Sequence, residues 1–235
     1  MKSSDNNGCR ELPYHLMYAP RDPSRLESLG TPVTVPAGYE IDCSDEAPDH
    51  CYLVKSGRIA CYEISYSGEQ RIYNIMLPGS LFLEECVIYS RPCPILFRTI
   101  EESELVKIDR CTLMRAFKHD IDIVMDICES LSVKFLSSME HLRFGPQQSA
   151  SWKICRLLTI YALQYGDTCD DGSVVIREKL SQQMMADLLG MNRITVTRKL
   201  KELRELGLVS SSGSRLCIHS MKALEAHMSD ISAQD

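Results

Sequence analysis

Between Thr31 and about Ile108 the apolar residues fall into short runs separated by turn residues. Thr31–Val35 leads into Pro36-Ala37-Gly38, residues 51–54 into Lys55-Ser56-Gly57, Ile59–Ile64 into Ser67-Gly68-Glu69, and residues 71–77 into Pro78-Gly79. Glycines 57, 68 and 79 recur every 11 residues. That rhythm predicts antiparallel strands joined by tight turns, in a sandwich or roll that can enclose a small ligand. Residues 1–30, with Pro13, Pro20 and Pro23, predict a short helix and loops.

From Lys118 the period becomes helical. Ile121, Val124, Cys128, Leu131, Phe135, Ser138 and Leu142 alternate steps of three and four, a heptad seam of about three repeats. Ile123, Ile127 and Met139 suggest a second apolar stripe. A helix with two stripes can pack on its own domain and pair with a copy of itself. The alternative is an ordinary core helix. The pairing reading makes Ile121, Val124, Cys128, Leu131, Phe135 and Leu142 a dimer interface. Gly145-Pro146 breaks the helix and predicts a boundary.

Beyond it, Ala150–Tyr165 carries a helical apolar face. Asp170-Asp171-Gly172 reads as a turn and Val174–Ile176 as a short strand. Two helices follow, separated by Gly190 and stopped at Gly207. Residues 208–210 and 216–218 flank Ser211-Ser212-Gly213-Ser214, a hairpin by its turn chemistry, and residues 220–228 form a closing helix.

Composition narrows the function classes. The apolar fraction of 44% belongs to a globular protein. No run reaches the roughly 18 apolar residues of a membrane span, and the N-terminus lacks a signal-peptide core. These features place the chain in the cytoplasm, away from membranes. The 11 cysteines are odd in number and contain no C-x-x-C pair. They read as reduced, mostly buried thiols, with redox sensing or metal binding as the alternative. The net charge of −6 argues against nucleic acid until it is resolved along the chain. Residues 180–204 hold five basic side chains against two acidic ones, and affinity for phosphate depends on charge at the contact face.

Residues 180–200, LSQQMMADLLGMNRITVTRKL, form the strongest motif. Ser181 fits an N-cap, Ala186 a close helix crossing, Gly190 a turn of positive φ, and Asn192 a second N-cap. Val196, Leu200 and Leu203 would face inward. Arg193, Ile194, Thr197 and Arg198 would face outward near the start of the second helix, where a recognition helix enters the major groove. Arginine pairs bidentately with guanine, and threonine and isoleucine methyls pack on thymine. Ser181, Gln182, Gln183, Asn192 and Thr195 complete the expected DNA-contact set, fixing register through phosphates.

The whole layout resembles the Crp/Fnr family, the regulators related to cyclic-AMP receptor protein. The resemblance runs from about Thr31 to Met228. It rests on the glycine-punctuated strands, Leu77-Pro78-Gly79-Ser80-Leu81-Phe82, the long helix and the helix-turn-helix. It implies an α+β fold: a cyclic-nucleotide-binding-like β-roll (jelly roll) over 1–117, a dimerisation helix over 118–145, and a winged helix-turn-helix over 146–235. It also implies a non-enzymatic homodimer whose partners are double-stranded DNA, RNA polymerase and a small-molecule effector. A sensor or enzyme built on the roll is the rival class, but no titratable constellation supports it.

The departures concern the effector. Nucleotide-binding members carry Gly-Glu-Leu and, about ten residues on, Arg-Ser or Arg-Thr. Here Leu83-Glu84-Glu85 stands at the first element and Pro94-Ile95 at the second. Arg91 and Arg98 are out of register. A cyclic phosphate would lose its cation and meet a carboxylate, which argues against a cyclic nucleotide. The N-terminal cysteine cluster of iron–sulfur members is absent, since only Cys9 precedes Cys43. His50, Cys51 and Cys86 are haem-ligand candidates by chemistry alone, so the cofactor stays unknown. The expected effector is apolar or uncharged. It would sit among Leu83, Glu84, Glu85, Cys86, Pro94, Ile95, Lys134, Phe135 and Ser138, unless the switch is a thiol such as Cys86, Cys93 or Cys128. Ile194 replaces a glutamate common in the family's recognition helix, so the expected half-site differs.

Overall fold

A computed structural model describes residues 16–17, 23–66, 68–144, 148–212 and 215–232. The chain folds as two compact units, Met1–Tyr62 with Tyr73–Leu142, and Glu63–Ile72 with Arg143–Asp235. In chain order the first elements are β1 (Leu16–Met17), α1 (Ser24–Glu27), β2 (Thr31–Val35), β3 (Glu40–Ile41), β4 (His50–Ser56), β5 (Ile59–Ile64), β6 (Gln70–Met76), β7 (Leu81–Phe82), α2 (Glu84–Tyr89), β8 (Leu96–Thr99), β9 (Ser103–Asp109), α3 (Arg110–Ala116) and α4 (Ile121–Phe144). Then come α5 (Ala150–Tyr165), β10 (Gly166–Thr168), β11 (Val174–Ile176), α6 (Gln182–Leu189), α7 (Arg193–Glu205), β12 (Val209–Ser212), β13 (Arg215–Ile218) and α8 (Met221–Ser232).

The strands predicted from the glycine rhythm form two sheets, ordered β1-β6-β5-β8-β3 and β2-β9-β4-β7. Gly57 turns β4 into β5 with φ +84°, and a Cβ there would lie 2.7 Å from Ser103 Cβ. Only glycine meets both conditions. The roll core includes Leu53, Ile59, Leu81, Phe97 and Leu105. Within it Phe82 contacts the Phe97 ring at 4.9 Å and stacks on Tyr52 at 5.1 Å, geometries that add to simple burial.

The long helix begins at Ile121 rather than Lys118. Helix α3 ends at Ala116, a turn follows, and Asp120 Oδ1 accepts the Asp122 backbone N–H to start α4. Ile123 and Ile127 are buried in the roll core. Met139 is exposed, which corrects the second stripe. At 100° per residue it has rotated away from Ile127, and Ser130, Ser137 and Glu140 continue the buried side instead. Ile121, Phe135 and Leu142 of the seam are exposed, Cys128 and Ser138 with them. Val124 and Leu131 are half-buried.

In the second unit, Trp152, Ile154, Cys155, Leu158 and Tyr161 of α5 are buried. The antiparallel sheet is ordered β10-β11-β13-β12. Strand β10 escaped the sequence reading because Gly-Asp-Thr carries no apolar alternation. Strands β12 and β13 pair as the predicted hairpin. The expected breaks at Gly145-Pro146 and Gly213-Ser214, together with Cys9, lie outside the described residues. No helix among the described residues is long and apolar enough to cross a membrane.

Candidate functional site

The helix pair α6–α7 is built by short-range chemistry. Ser181 Oγ accepts the Met184 N–H at 3.0 Å and Asn192 Oδ1 accepts the Ile194 N–H at 2.7 Å, so both predicted caps form. Gly190 ends α6 in the left-handed region at φ 58°. Ala186, Val196, Leu200 and Leu203 are buried, and Arg193, Ile194, Thr197 and Arg198 are exposed along one face of α7. Thr195 is half-buried.

Thr197 does more than expected. Its hydroxyl is within donating distance of Gln182 Oε1 at 2.7 Å and of the Arg193 carbonyl at 2.9 Å. This links α7 to the first turn of α6 and leaves the threonine methyl for an apolar contact. Gln183 donates to Asp187 at 2.7 Å. Farther along α7, Lys199 pairs with Glu202 at 2.7 Å and Lys201 with Glu205 at 3.7 Å. Among the described residues no carboxylate pairs with Arg193 or Arg198. Positive charge is thus least compensated at the end of α7 that a groove would receive. Arg204 donates to Ser211 at 3.1 Å, tying α7 to the hairpin. The sequence reading missed this contact because it depends on how the hairpin folds back.

In the roll, α2 opens with Leu83, fully buried and left-handed at φ 68°. A leucine tolerates that region poorly, which agrees with glycine being the family's residue there. Glu84 is completely buried, and its Oε2 lies 2.7 Å from Lys134 Nζ of α4. Ser130, one helical turn before Lys134, donates to Glu84 Oε1 at 2.7 Å. Glu85 Oε2 lies 2.8 Å from the same ammonium but keeps 42% of its side chain open to solvent, so its ion pair is the weaker one.

Burial drives the Glu84 carboxyl upward, outweighing the Lys134 charge that favours its anion. For Glu85 burial also pulls upward, but the charge of Lys134 and the hydrogen bonds from Lys134 and Glu84 prevail, and it sits below the ordinary value. Burial lowers Lys134, yet the two carboxylates overcome it and hold the ammonium charged.

The expected effector residues therefore divide. Glu84, Glu85 and Lys134 converge, with Ser130 as a member not anticipated. Leu83 and Cys86 lie inside the roll core, and Ile95 packs against it. Pro94, Phe135 and Ser138 are exposed. Phe135, 64% exposed, points away from the side of α4 that carries Lys134, and Ser138, one helical turn beyond Lys134, donates to its backbone carbonyl at 2.9 Å and stays exposed, so neither joins the buried ion cluster. A groove of about 630 Å³ does lie beside α4, between Arg25 and the carboxylates Asp122, Asp126 and Glu129, but it contains none of the expected effector residues.

The remaining candidates do not converge. Arg98 sits 3.6 Å from Glu40 and 4.6 Å from the Tyr62 ring centroid. His50 is engaged by Asp49 at Nδ1 and by Tyr52 Oη at 2.8 Å from Nε2. Cys51, next along the strand, faces the opposite side and is fully buried, its thiol pushed up to about 12 by burial. All ten described cysteines are free.

Known proteins resemble the chain in both parts. Residues 32–120 match the cyclic nucleotide-binding domain family and residues 153–227 the Crp-like helix-turn-helix domain family. A nitrogen fixation regulation protein FixK from Azorhizobium caulinodans is 26% identical over 190 residues, 81% of this chain and 75% of that protein. A CRP-like cAMP-activated global transcriptional regulator from Mycobacterium tuberculosis is 23% identical over 206 residues, 86% of this chain and 92% of that protein. The solved structure of FixK2 from Bradyrhizobium japonicum superposes with a TM-score of 0.71 at 19% identity, covering 84% of this chain and 96% of that one.

Proposed function

Because the chain belongs to the Crp/Fnr family of transcriptional regulators, we propose that it binds a pseudo-palindromic operator as a homodimer, gated by a signal in its roll. The carrying observation is the exposed face of Arg193, Ile194 and Arg198 on a helix whose other side is sealed by Val196, Leu200 and Leu203. Arginine at that face offers two donors to a guanine edge, and Ile194 offers methyl groups to thymine. Ser181, Gln182, Gln183, Asn192 and Thr195 flank it and anchor the backbone.

The organisation we propose is a sensor over 1–117, a pairing helix over 118–145 and a DNA-binding domain over 146–235. The exposed seam of Ile121, Phe135 and Leu142 supports pairing through α4, with Val124, Cys128 and Leu131 beside it. Two copies then place their recognition helices about one turn of DNA apart. The protein works in the cytoplasm, without catalysis of its own, and contacts RNA polymerase at the promoter. A cyclic nucleotide is not the signal, because the lysine near Glu84 is already neutralised and Pro94 offers no donor to a phosphate. The effector is an uncharged small molecule or a redox change.

Selection of bound DNA from a randomised duplex library tests the reading. A two-fold symmetric consensus with half-sites one helical turn apart is expected. Binding without sequence preference overturns it.

A further inference from the structure

The redox arm of that proposal has a specific location. Helix α2 ends at Tyr89, and Ser90 reverses the chain in the left-handed region at φ 55°. The Arg91 N–H returns to the Cys86 carbonyl at 3.1 Å, and the Cys93 N–H donates to the Cys43 carbonyl at 2.8 Å. This turn lays Cys93 back against Cys86. Both side chains are buried in the roll core, and Cys93 is near enough to add to the burial that raises the Cys86 thiol. Cys43, half-buried, is the other cysteine near Cys93, joined to it by that backbone hydrogen bond. Among the described residues no group of His, Cys, Asp and Glu is arranged to hold a metal ion, so the pair is better placed for thiol chemistry than for metal binding.

We propose that Cys86 and Cys93 are a dithiol that closes to an intrachain disulfide on exposure to a hydroperoxide, and that Glu85 and Lys134 carry the change to α4. The thiolate of one cysteine attacks the peroxide O–O bond, giving a sulfenic acid and releasing an alcohol or water. The second thiol then attacks the sulfenic sulfur, and water leaves. In total two thiols and one hydroperoxide give one disulfide, one alcohol and one water. The two thiols already share the roll core, and the backbone turn between them already exists. The reaction is slow, because burial pushes the Cys86 thiol up to about 12.

Bond formation brings the two sulfurs to about 2.05 Å. Cys86 directly follows Glu85, whose carboxylate lies 2.8 Å from Lys134 Nζ. Drawing Cys86 towards Cys93 therefore moves the carboxylates that hold the long helix. The inference rests on the reading of the chain as a gated DNA-binding dimer, but its chemical half does not.

The full-length reduced protein is treated with tert-butyl hydroperoxide, alkylated and digested with trypsin. The peptide 72–98 stays whole because Arg91 precedes Pro92. Loss of two hydrogens with no alkylation of Cys86 or Cys93 is expected, reversed by dithiothreitol. A bridge from Cys93 to Cys43, or two free thiols after prolonged treatment, overturns the proposal. Operator affinity is expected to change by roughly five-fold or more on oxidation, and Cys86→Ser and Cys93→Ser each to abolish that change while Cys43→Ser keeps it. If Cys86→Ser does not fold, Cys86→Ala replaces it. Deuterium exchange along residues 121–142 gives a readout without DNA, and no difference between oxidised and reduced protein sinks the coupling. Failure of the reduced protein to bind any operator counts against the regulator reading alone.

Discussion

Lys134 Nζ lies 2.7 Å from Glu84 Oε2, joining residues 50 positions apart in sequence. The pair links the short helix α2 of the roll to the long helix α4. Glu84 stands where the resemblance aligns the glutamate of the family's Gly-Glu-Leu, and here that carboxyl is taken up by the chain's own lysine. A completely buried carboxyl facing a lysine that is itself 17% exposed cannot exchange partners with water cheaply.

Removing the cation should therefore cost more than removing the pair. Lys134→Met is expected to lower stability by roughly 3–5 kcal/mol, because it leaves two carboxylates without their counter-ion. The double variant Glu84→Gln/Lys134→Met is expected to recover part of that loss. Urea unfolding of the three proteins measures both effects. Equal destabilisation in single and double variants refutes the coupling.

The pH dependence has a definite sign. Glu84 is held above the ordinary carboxylate value by burial, so its neutral form favours the fold. That contribution is complete below the ordinary value of 4.5 and is lost as pH rises through the folded one. Glu85, held below 4.5, behaves oppositely, and its contribution disappears as pH falls through its own folded value. Glu84→Gln is expected to remove the first trend and keep the second. Unfolding curves of wild type and variant that stay parallel from the carboxylate range to neutrality rule this out.

Arg198→Ala is expected to remove sequence-specific DNA binding and leave the fold intact. The side chain is exposed, and among the described residues no carboxylate pairs with it. The loss should be on the order of 1–3 kcal/mol. Titration of a selected operator at fixed salt, with a scrambled duplex as control, measures it. Unchanged discrimination between the two duplexes removes Arg198 from the base-reading set.

Pairing through α4 is best tested at Phe135. Leu131 also packs against the roll core, so Leu131→Asp would damage the fold as well as the seam. Phe135 is exposed, and Phe135→Asp should give monomers of unchanged thermal stability apart from the lost dimer linkage. Light scattering across a concentration series reads the outcome. A wild type that stays monomeric with and without DNA overturns the dimer.

Cyclic AMP and cyclic GMP are expected to give no saturable heat in calorimetry. Each brings a full negative charge that needs a cation or several N–H donors. Lys134 is held by two carboxylates, and Arg98 lies with Glu40 and Tyr62. A micromolar dissociation constant with tighter operator binding would show that the ion cluster opens for nucleotide.

The sequence by itself determined what short-range chemistry controls. Ser181, Gly190 and Asn192 act on backbone groups within a few residues of themselves, so the caps and turn of the helix pair were legible from residue type and spacing. The glycine turns of the roll were legible for the same reason, and the exposed face of α7 followed from a period of 3.6. Only the tertiary structure decided which distant groups meet. The sequence shows Glu84, Ser130 and Lys134 as separate polar residues, and a buried charge takes whichever partner the packing of α4 against the roll brings within reach. The tertiary structure likewise turned Phe135 and Met139 to solvent, because a repeat of apolar residues does not say which side of α4 the roll covers. The return of Cys93 to the core that holds Cys86 follows a left-handed turn at Ser90 that no local residue preference announces.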